Sequence, residues 1–548
     1  MKVLISDKLS KEGVEILKAA KGIEVIDKPG LAPEELKKVI ADVDGLIVRS
    51  ATKVTKDLLS AAKKLKAIAR AGAGVDNIDC EAASRRGIIV MNTPGGNTVS
   101  AAEHALAMLF ALARSIPAAD ALMKQQVWEK KKFTGAELTG KTLGVVGLGR
   151  IGAEVARRAI GLRMNVVAFD PFANAEQAKA LGVELTNSLD DLMKRAHFVT
   201  VHAALTEKTK GMIGAKELAA ARKGVGIVNC ARGGIVDEAA LLDALNSGQV
   251  SAAALDVFTS EPPTDWTLAK HPKVIATPHL GASTEEAQLN VAIAAAEQMV
   301  DALLHNKVRF AVNFPSVDAE EMAVLGPYMV LGRRLGAIAA QLCEAPVKEV
   351  TVTYSGQVAS LKTEPVTVSA AAGLLSSYVE DVNLVNARVL LKERGITVKE
   401  TRTSDAEDFV TYMAVEVRAG NDPFDGAQGR PEQKSKGETH VAGGTLFGKA
   451  SPRLVLVDGF LLEIEPAGSV LFIRNKDVPG VIGEVGRILG DHRINIANMS
   501  NGRRSAGGEA LTVVSVDTVP DAKVLQALAG ASSVLAVKLV RLSEGGAA

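Results

Sequence analysis

An imidazole, a carboxylate and a guanidinium each follow a short apolar run in the middle of the chain. They are His279, Glu261 and Arg232. Imidazole can remove a hydroxyl proton, a carboxylate can stabilise the imidazolium that forms, and a guanidinium can bind a substrate carboxylate and a developing carbonyl oxygen. These are the groups that oxidation of an alcohol needs. Each also has an ordinary interpretation, since a single histidine after a strand is more often structural than catalytic.

A glycine turn lies ahead of these groups, within residues 141–170. The segment is typical of a strand, a turn, a helix and a second strand, which together make a βαβ unit. Gly147 would allow the tight turn, Gly149 would let a pyrophosphate approach the backbone, and Gly152 would let the helix pack close to the sheet. The pattern predicts a dinucleotide site, although glycines at this spacing also occur by chance. Its predicted contacts are Gly147, Gly149, Arg150, Ile151 and Gly152.

An acid closes the second strand of this unit. Asp170 can accept two hydrogen bonds from an adenosine ribose, whereas a 2′-phosphate would bring like charges together. No arginine follows it in residues 171–174. The sequence therefore favours NAD over NADP as the cofactor.

The elements that must position these groups alternate between strand and helix, from the start of the chain and again beyond Asp170. This alternation predicts parallel, doubly wound sheets, in which ligands bind beyond the carboxyl ends of the strands. In the first hundred residues these ends carry candidate substrate-binding residues, namely Arg49, Ser50, Arg70, Gly72 and Asn97. The alternative is that Arg49 and Arg70 are solvated surface cations.

Composition limits the remaining possibilities. A chain of 548 residues should form three or four domains, and a formal net charge of +1 gives no reason to expect nucleic acid or an anionic membrane as a partner. The three cysteines are far apart, and the longest apolar stretch, residues 105–113, is too short to span a bilayer. No signal peptide is evident, so we expect a cytoplasmic protein. Because no His or Cys pair has ligand spacing, we expect no metal.

Two further modules follow. Within residues 317–467, segments whose apolar and polar residues alternate at period two are separated by helical segments. This pattern predicts an α+β module, with 421–436 as a loop between two strands. Residues 468–548 have a βαββαβ order. Asp477 lies at the first strand-to-helix turn of this last module, where free amides and a carboxylate could hold a zwitterion. A small dimerising sheet without a ligand is the alternative.

Four spaced motifs together resemble the D-2-hydroxyacid dehydrogenase family: residues 147–152, 231–238, 255–262 and 277–282. With residues 92–103 and the two extra modules, the chain is similar to the long members of that family. The resemblance implies two Rossmann-like lobes, a discontinuous substrate-binding lobe (1–97 plus 284–316) and an NAD-binding lobe (98–283). An α+β intervening domain (317–467) and an ACT regulatory domain (468–548) would follow.

The resemblance also implies roles for individual residues. Arg232, Glu261 and His279 match the family's catalytic set. Further cofactor contacts match Thr206, Cys230, Ala231 and Asp256, whereas Arg49, Arg70 and Asn97 match the substrate lobe. In ACT-regulated relatives serine binds at positions that match Asn475, Asp477 and Asn495.

The activity implied by the resemblance is NAD-dependent oxidation of 3-phosphoglycerate to 3-phosphohydroxypyruvate, the first step of L-serine biosynthesis, in a homotetramer or homodimer. One alternative is a glyoxylate or hydroxypyruvate reductase, against which the two C-terminal modules argue because that reaction has less need of end-product control. Another is a nicotinamide-sensing corepressor that keeps the fold for partner binding. Such proteins can retain the catalytic residues, so only turnover distinguishes them.

Overall fold

The structure is a computed structural model that describes residues 1–315, 319–405, 409–420, 437–448 and 450–542. These residues form four β-sheets, two of them parallel with helices on both faces and two largely antiparallel. The predicted fold class is confirmed: two Rossmann-like lobes are followed by an α+β unit and a βαββαβ unit. The interpretation of residues 421–436 as a loop lies outside the described residues.

The first lobe is built on a five-stranded parallel sheet with the order β2-β1-β3-β4-β5. Strand β3 is buried along its whole length, as expected for a parallel sheet covered by helices on both faces. The elements of this lobe are β1 (Lys2–Ile5), α1 (Lys11–Ala19), β2 (Glu24–Asp27), α2 (Pro33–Ile40), β3 (Gly45–Val48), α3 (Lys56–Ala61), β4 (Ala67–Arg70), α4 (Cys80–Arg85) and β5 (Ile89–Asn92).

The second lobe contains a seven-stranded parallel sheet. Its helices are α5 (Thr98–Arg114), α6 (Ile116–Lys124), α7 (Arg150–Gly161), α8 (Ala175–Leu181), α9 (Leu189–Arg195), α10 (Ala215–Ala220) and α11 (Glu238–Ser247), and a 3-10 turn spans Lys130–Lys132. Its strands are β6 (Thr142–Val146), β7 (Asn165–Phe169), β8 (Glu184–Leu185), β9 (Phe198–Val201), β10 (Val225–Asn229), β11 (Val250–Leu255) and β12 (Val274–Ala276).

The strand order of this sheet is β8-β7-β6-β9-β10-β11-β12. The chain therefore winds outward in one direction from β6 and then in the other from β9. Between these two strands lies the topological switch point, where ligands bind in doubly wound sheets.

Two long helices connect the lobes. Helix α5 packs in the core of the second lobe, where its Leu109 and Ala113 are buried. Helix α12 (Glu285–Leu304) is capped by the side chain of Thr284 and returns to bury Met299 in the core of the first lobe. The beginnings of the two helices meet where the hydroxyls of Ser100 and Thr284 lie 2.7 Å apart. The edges of the two sheets at which the strands have their carboxyl ends therefore flank one cleft.

No single helix in the described part of the chain is long and apolar enough to cross a membrane. Helices α5 and α6 are long and apolar enough when they are taken together, but the chain bends by 66° at the break between them.

The third unit has a six-stranded sheet with the order β14-β13-β15-β16-β17-β18, parallel only between β13 and β14. Its elements are α13 (Ala319–Leu342), β13 (Val347–Gly356), a 3-10 turn (Gln357–Ser360), α14 (Glu364–Leu375), α15 (Ala387–Glu393), β14 (Thr397–Thr403), β15 (Thr411–Ala419), β16 (Glu438–Phe447), β17 (Ser451–Val457) and β18 (Phe460–Ile464).

Helices α13 and α14 of this unit cross at very short range. A Cβ at Gly336 would lie 2.0 Å from the Ala370 carbonyl oxygen, and one at Gly373 would lie 1.9 Å from that of Arg333. Only glycine allows backbones to approach this closely. The crossing fixes the position of α13, whose end lies beside the last unit.

The last unit has the antiparallel strand order β20-β21-β19-β22. Its elements are β19 (Gly468–Lys476), α16 (Val481–Asp491), β20 (Ile496–Arg503), β21 (Glu509–Val516), α17 (Ala522–Ala529) and β22 (Val534–Leu542). One sheet face packs on its own two helices, whereas the other, which carries Phe472 and Val540, joins the core of the third unit. Gln341 exchanges two hydrogen bonds with the Arg541 backbone across the junction. The two units share one apolar core.

Candidate active site

The glycine turn connects β6 to α7 at the switch point. Gly147 has a φ of 92°, and a Cβ there would lie 2.9 Å from the carbonyl oxygen of His202, which directly follows the neighbouring strand β9. A Cβ at Gly152 would lie 2.0 Å from the Gly147 oxygen. A Cβ at Gly149 would have no other atom within 4 Å, and no side chain caps the start of α7. The helix therefore presents its first N–H groups, beginning at Arg150 and Ile151, to open space that suits a pyrophosphate.

Asp170 lies at the end of β7, beside this turn. Its Oδ2 accepts a hydrogen bond from the Leu148 backbone N–H at 2.8 Å, and its Oδ1 accepts one from Phe172 at 2.8 Å. Each carboxylate oxygen can accept a further hydrogen bond. The acid is thus held in a fixed orientation next to the glycine turn, with capacity left for ribose hydroxyls.

Replacement of Asp170 by alanine should narrow the preference for NAD over NADP by roughly tenfold or more, because hydrogen bonds to a charged group contribute roughly 1.5–3 kcal/mol and a repelling charge is also lost. Steady-state kinetics with both cofactors measures the ratio of their kcat/KM values. The exposed acid Asp243 on the same lobe gives a matched control, Asp243→Ala. An unchanged ratio in Asp170→Ala would place the ribose contact elsewhere.

The loop after β10 carries Cys230, Ala231 and Arg232. Its shape is set by the buried Asn229, whose side chain accepts a hydrogen bond from the Ala231 N–H at 3.1 Å and donates one to the Arg232 carbonyl at 3.0 Å. Burial raises the pKa of the Cys230 thiol, and the charge of Asp256 adds to that shift. Cys230 is therefore a neutral thiol that borders the cofactor side of the cleft.

His279 and Glu261 form a direct pair. The His279 Nδ1–H donates to Glu261 Oε2 at 2.7 Å, and Glu261 Oε1 accepts from the Phe258 N–H at 3.2 Å. His279 has a φ of 54°, a left-handed conformation that is uncommon for a residue with a side chain. Because Nδ1 is occupied, Nε2 is the ring nitrogen available to a substrate.

Asp256 holds the loop that bears His279. Its Oδ1 accepts hydrogen bonds from the Thr277 hydroxyl at 2.6 Å and the Leu280 N–H at 2.7 Å, and its Oδ2 accepts one from the Gly281 N–H at 2.8 Å. His104 Nε2 lies 3.2 Å from Oδ1. The predicted contact between Asp256 and the cofactor stays a prediction. Its side chain is 0% exposed, so it supports the His279 loop from behind.

Three guanidinium groups converge on the substrate side. Burial, with the charges of Arg232 and Arg49 adding to it and that of Asp76 opposing it, lowers the pKa of Arg70 to about 10. The buried Nε of Arg70 has no hydrogen-bond partner among the described residues. Arg232 donates from Nε to Asp76 of the first lobe at 3.0 Å. A cation with unmet donors beside other cations is an anion-binding arrangement.

The other predicted substrate residues lie around this group. Gly72 has a φ of 151°, and a Cβ there would lie 1.7 Å from Nη1 of Arg70, so glycine is needed beneath that guanidinium. The Arg49 backbone N–H donates to the buried Asp7 at 2.6 Å. Ser50 is exposed beside Arg49. Asn97 precedes α5 without a side-chain capping bond, which leaves its amide available.

Thr206, predicted as a cofactor contact, lies in the loop after β9. Its exposed hydroxyl is 3.0 Å from that of Thr209, and its N–H donates to Thr209 Oγ1 at 2.8 Å. The loop stays on the cofactor side of the cleft because β9 adjoins β6 at the switch point.

The three candidate regulatory residues occupy different environments. Asp477 accepts hydrogen bonds from the Gly507 N–H at 2.9 Å and from Arg503 at 3.2 Å, which hold the pKa of its carboxyl below the usual value. Asn495 is exposed and donates to Asp517 at 2.7 Å. Asn475 is 2% exposed and its amide bonds internally with Lys476 and Thr512, and its contact with a ligand stays a prediction.

Three residues of this site are missing from the sequence-based prediction. Asn229 left a detectable signal, because it is an amide at the end of an otherwise apolar strand. Asp76 and His104 left none, since their partners Arg232 and Asp256 lie more than a hundred residues further along the chain.

Three regions of the chain match known families. Residues 106–281 match the NAD binding domain of D-isomer specific 2-hydroxyacid dehydrogenases. Residues 324–429 match the D-3-phosphoglycerate dehydrogenase intervening domain, and residues 469–531 match the ACT domain. The family motifs that the sequence carries are therefore confirmed as a family relationship, with NAD as the cofactor of the second lobe.

The chain is also similar to complete proteins. It is 42% identical over 542 residues to D-3-phosphoglycerate dehydrogenase of Bacillus subtilis, covering 99% of both chains. It is 41% identical over 546 residues to the same enzyme of Archaeoglobus fulgidus, covering 99% of this chain and 100% of that one. A glyoxylate reductase structure from Paecilomyes thermophila is 29% identical with a TM-score of 0.53, but it covers only 57% of this chain and 98% of its own.

Proposed function

The chain belongs to the D-3-phosphoglycerate dehydrogenase family, and on that premise we propose that it oxidises 3-phospho-D-glycerate to 3-phosphohydroxypyruvate with NAD, the first step of L-serine biosynthesis. The observation that carries the proposal is the His279–Glu261 pair at the cleft that Arg232 and Arg70 line. At this cleft, an alcohol that carries two anionic groups would contact a base for its hydroxyl proton and guanidinium groups for its negative charges.

Each residue of the proposed catalytic set has a distinct task. Nε2 of His279 takes the proton of the C2 hydroxyl, while Glu261 stabilises the imidazolium through Nδ1. Arg232 binds the substrate carboxylate and the oxygen at C2, which requires that it exchange its contact with Asp76 for the substrate. NAD held at the glycine turn between β6 and α7 would supply the hydride acceptor for C2. Arg70 and Arg49 supply the charge that a phosphate needs.

The rival reading as a glyoxylate or hydroxypyruvate reductase is less consistent with these features. A substrate without phosphate would leave a guanidinium cluster with only one anionic group to bind. The similar glyoxylate reductase structure also ends with the two lobes, whereas the D-3-phosphoglycerate dehydrogenase relatives extend over the whole chain. A corepressor role on the same fold would require no turnover.

Steady-state formation of NADH from 3-phosphoglycerate and from D-glycerate tests this choice. We expect kcat/KM to be larger for the phosphorylated substrate by roughly a hundredfold or more, because a phosphate gains several charge-assisted hydrogen bonds at the arginine cluster. Equal values for both substrates would favour the reductase, and no turnover with either substrate, in either direction, would favour the corepressor.

Replacement of Glu261 by glutamine should lower kcat by roughly tenfold or more, because a neutral amide stabilises the imidazolium that forms on His279 less well than a carboxylate does. Burial raises the pKa of the Glu261 carboxyl, but the hydrogen bond and charge of His279, with the Phe258 N–H and Arg232, hold that pKa below its usual value. Steady-state kinetics measures the change in kcat. Glu207→Gln, at an exposed site on the same lobe, is the control. An unchanged kcat in Glu261→Gln would contradict the pairing.

The proposal includes regulation by L-serine at the last unit. Asp477 would pair with the amino group and Asn495 would bind its polar atoms, at an interface between two such units of a homodimer or homotetramer. The effect of serine binding could reach the cleft through direct contacts. The last unit shares a core with the third unit. In the third unit, Asn383 contacts Gly87 of the first lobe and Glu393 contacts Arg85. Serine would inhibit by binding the less active subunit arrangement more tightly.

Replacement of Asp477 by alanine should abolish inhibition by serine and leave uninhibited kcat unchanged, because the carboxylate is remote from the cleft. Asp491→Ala removes an exposed acid from the same unit and should leave both properties intact. Isothermal calorimetry with wild-type protein measures serine binding directly. Absence of binding would reduce the unit to a role in assembly, which sedimentation would then address.

The division of the chain into domains at 1–97 plus 284–316, 98–283, 317–467 and 468–548 is part of the proposal, as is a cytoplasmic location. The thiols of Cys80, Cys230 and Cys343 are all free, which suits a reducing compartment.

A further inference from the structure

Two groups of His, Cys and acidic side chains in the described part of the chain are close enough together to hold a metal ion. The first is His104, Cys230 and Asp256, which belongs to the active site. The second is Cys343, Glu438 and His440, whose nitrogen, sulfur and oxygen atoms all lie within 4.8 Å of one another. Cys343 follows helix α13, whereas Glu438 and His440 lie two residues apart on β16. We name this second group the Cys343 cluster.

The orientation of His440 is fixed from behind. Its Nδ1–H donates to Asp458 Oδ2 at 2.8 Å, and the other oxygen of Asp458 accepts from the Val441 N–H at 2.8 Å. A carboxylate that binds one ring nitrogen and leaves the other free is the usual outer partner of a metal-binding histidine. Nε2 of His440 therefore points into the cluster, toward Glu438.

Glu438 is held in the same manner. Its Oε2 accepts hydrogen bonds from the backbone N–H groups of Glu344 at 3.0 Å and Ala345 at 3.1 Å. Its Oε1 lies 2.9 Å from Nε2 of His440. Because a carboxylate only accepts hydrogen bonds, this short contact requires a second proton on the imidazole, which a bound cation would replace.

Cys343 supplies the third donor. Its Sγ lies within 4.8 Å of the Glu438 and His440 donor atoms. The cation Lys538 is engaged at 2.8 Å with Glu344. The Cys343 cluster is therefore a half-buried place where two carboxylates and a sulfur face one imidazole. A divalent cation would balance these charges.

We propose that the Cys343 cluster binds Zn²⁺ through Cys343 Sγ, His440 Nε2 and Glu438 Oε1, with water in the fourth position. Zinc prefers sulfur, imidazole nitrogen and carboxylate oxygen in a tetrahedral arrangement. On binding, the thiol proton and the Nε2 proton of His440 are released to solvent, and bonds from the metal to sulfur and to nitrogen replace the S–H and N–H bonds, so the site takes up the ion with loss of two protons. The metal ties the end of α13 to the start of β16.

The same atoms without a metal would form an imidazolium held between Glu438 and Asp458. Cys343 has no role in that arrangement, because no hydrogen bond or ion pair to its thiol is found in the described residues. A soft divalent ion is favoured because the thiol of Cys343 lies at ligand distance from Glu438 and His440.

Titration of the full-length, chelator-treated protein with Co²⁺ tests the site, because a thiolate ligand to Co²⁺ produces a charge-transfer absorption band. We expect one equivalent to produce this band in the wild-type protein, in Cys80→Ser and in Cys230→Ser. Cys343→Ser should lose it, and His440→Asn should bind at least tenfold more weakly. Asp458→Asn should weaken binding by about 10–100-fold, as loss of an outer partner does.

A second measurement covers the case in which a variant fails to fold. Zn²⁺ should protect Cys343 of the wild-type protein from alkylation, as read by peptide mass spectrometry, while Cys80 stays reactive. Retained NADH binding in the second lobe shows that a variant is folded. No band in the wild-type protein, a band that persists in Cys343→Ser, or equal alkylation of Cys343 with and without Zn²⁺ would overturn the proposal in favour of the imidazolium.

Discussion

Replacement of His279 by alanine should lower kcat by about 100-fold or more while affinity for NADH stays nearly constant. General base catalysis by a positioned side chain contributes about 10²–10⁴-fold. The proposed pyrophosphate site lies on the glycine turn between β6 and α7, whereas the imidazole lies on the loop after β12, so we expect the replacement to impair only the proton transfer. Steady-state kinetics and NADH fluorescence titration measure the two effects separately.

The matched control for this change is His305→Ala, at an exposed position just after α12. It removes an imidazole without touching the cleft and should leave both kcat and NADH affinity unchanged. Normal kcat in His279→Ala combined with weaker NADH binding would contradict the assignment of His279 as the base and make it a cofactor contact.

Replacement of Arg232 by alanine should lower kcat/KM for 3-phosphoglycerate on the order of a thousandfold. A bidentate guanidinium–carboxylate pair forms two charge-assisted hydrogen bonds, each contributing roughly 1.5–3 kcal/mol, and each 1.36 kcal/mol corresponds to about a tenfold change. Arg232→Lys should recover little of the loss, because an ammonium cannot reproduce the planar fork.

Two comparisons complete this test. Arg222→Ala removes an exposed arginine from the same lobe and should be neutral. Asp76→Asn frees Arg232 of its ionic contact with the first lobe, so it should change KM far less than Arg232→Ala does. Retention of kcat/KM in Arg232→Ala would show that another cation binds the carboxylate.

The parts of this protein that sequence patterns predict well are those set by local chain geometry. Gly147 and Gly152 occupy positions where backbone conformation or backbone contact excludes a side chain, so their spacing is visible without a fold. The βαββαβ order of the last unit follows in the same way from apolar periodicity and from turns such as Gly480, which has a φ of 98°.

Features that depend on two distant segments could not be read from the chain. The hydrogen bonds that hold Asp256 depend on the 277–281 loop folding over it, so the motif alone does not reveal them. The burial of the Asn475 amide depends on Thr512, which lies on another strand. Cys343 and His440 have no ligand spacing, because the sheet brings them together across most of the third unit.

The most direct test of the proposed activity follows the hydrogen at C2. The purified protein is incubated with NAD and 3-phosphoglycerate that carries deuterium at C2, and both products are analysed by mass spectrometry. We predict one deuterium in the reduced nicotinamide and 3-phosphohydroxypyruvate as the organic product, both formed more slowly in His279→Ala, by about 100-fold or more. Unreduced NAD together with intact substrate, from protein that still binds NADH, would contradict the assignment as a dehydrogenase.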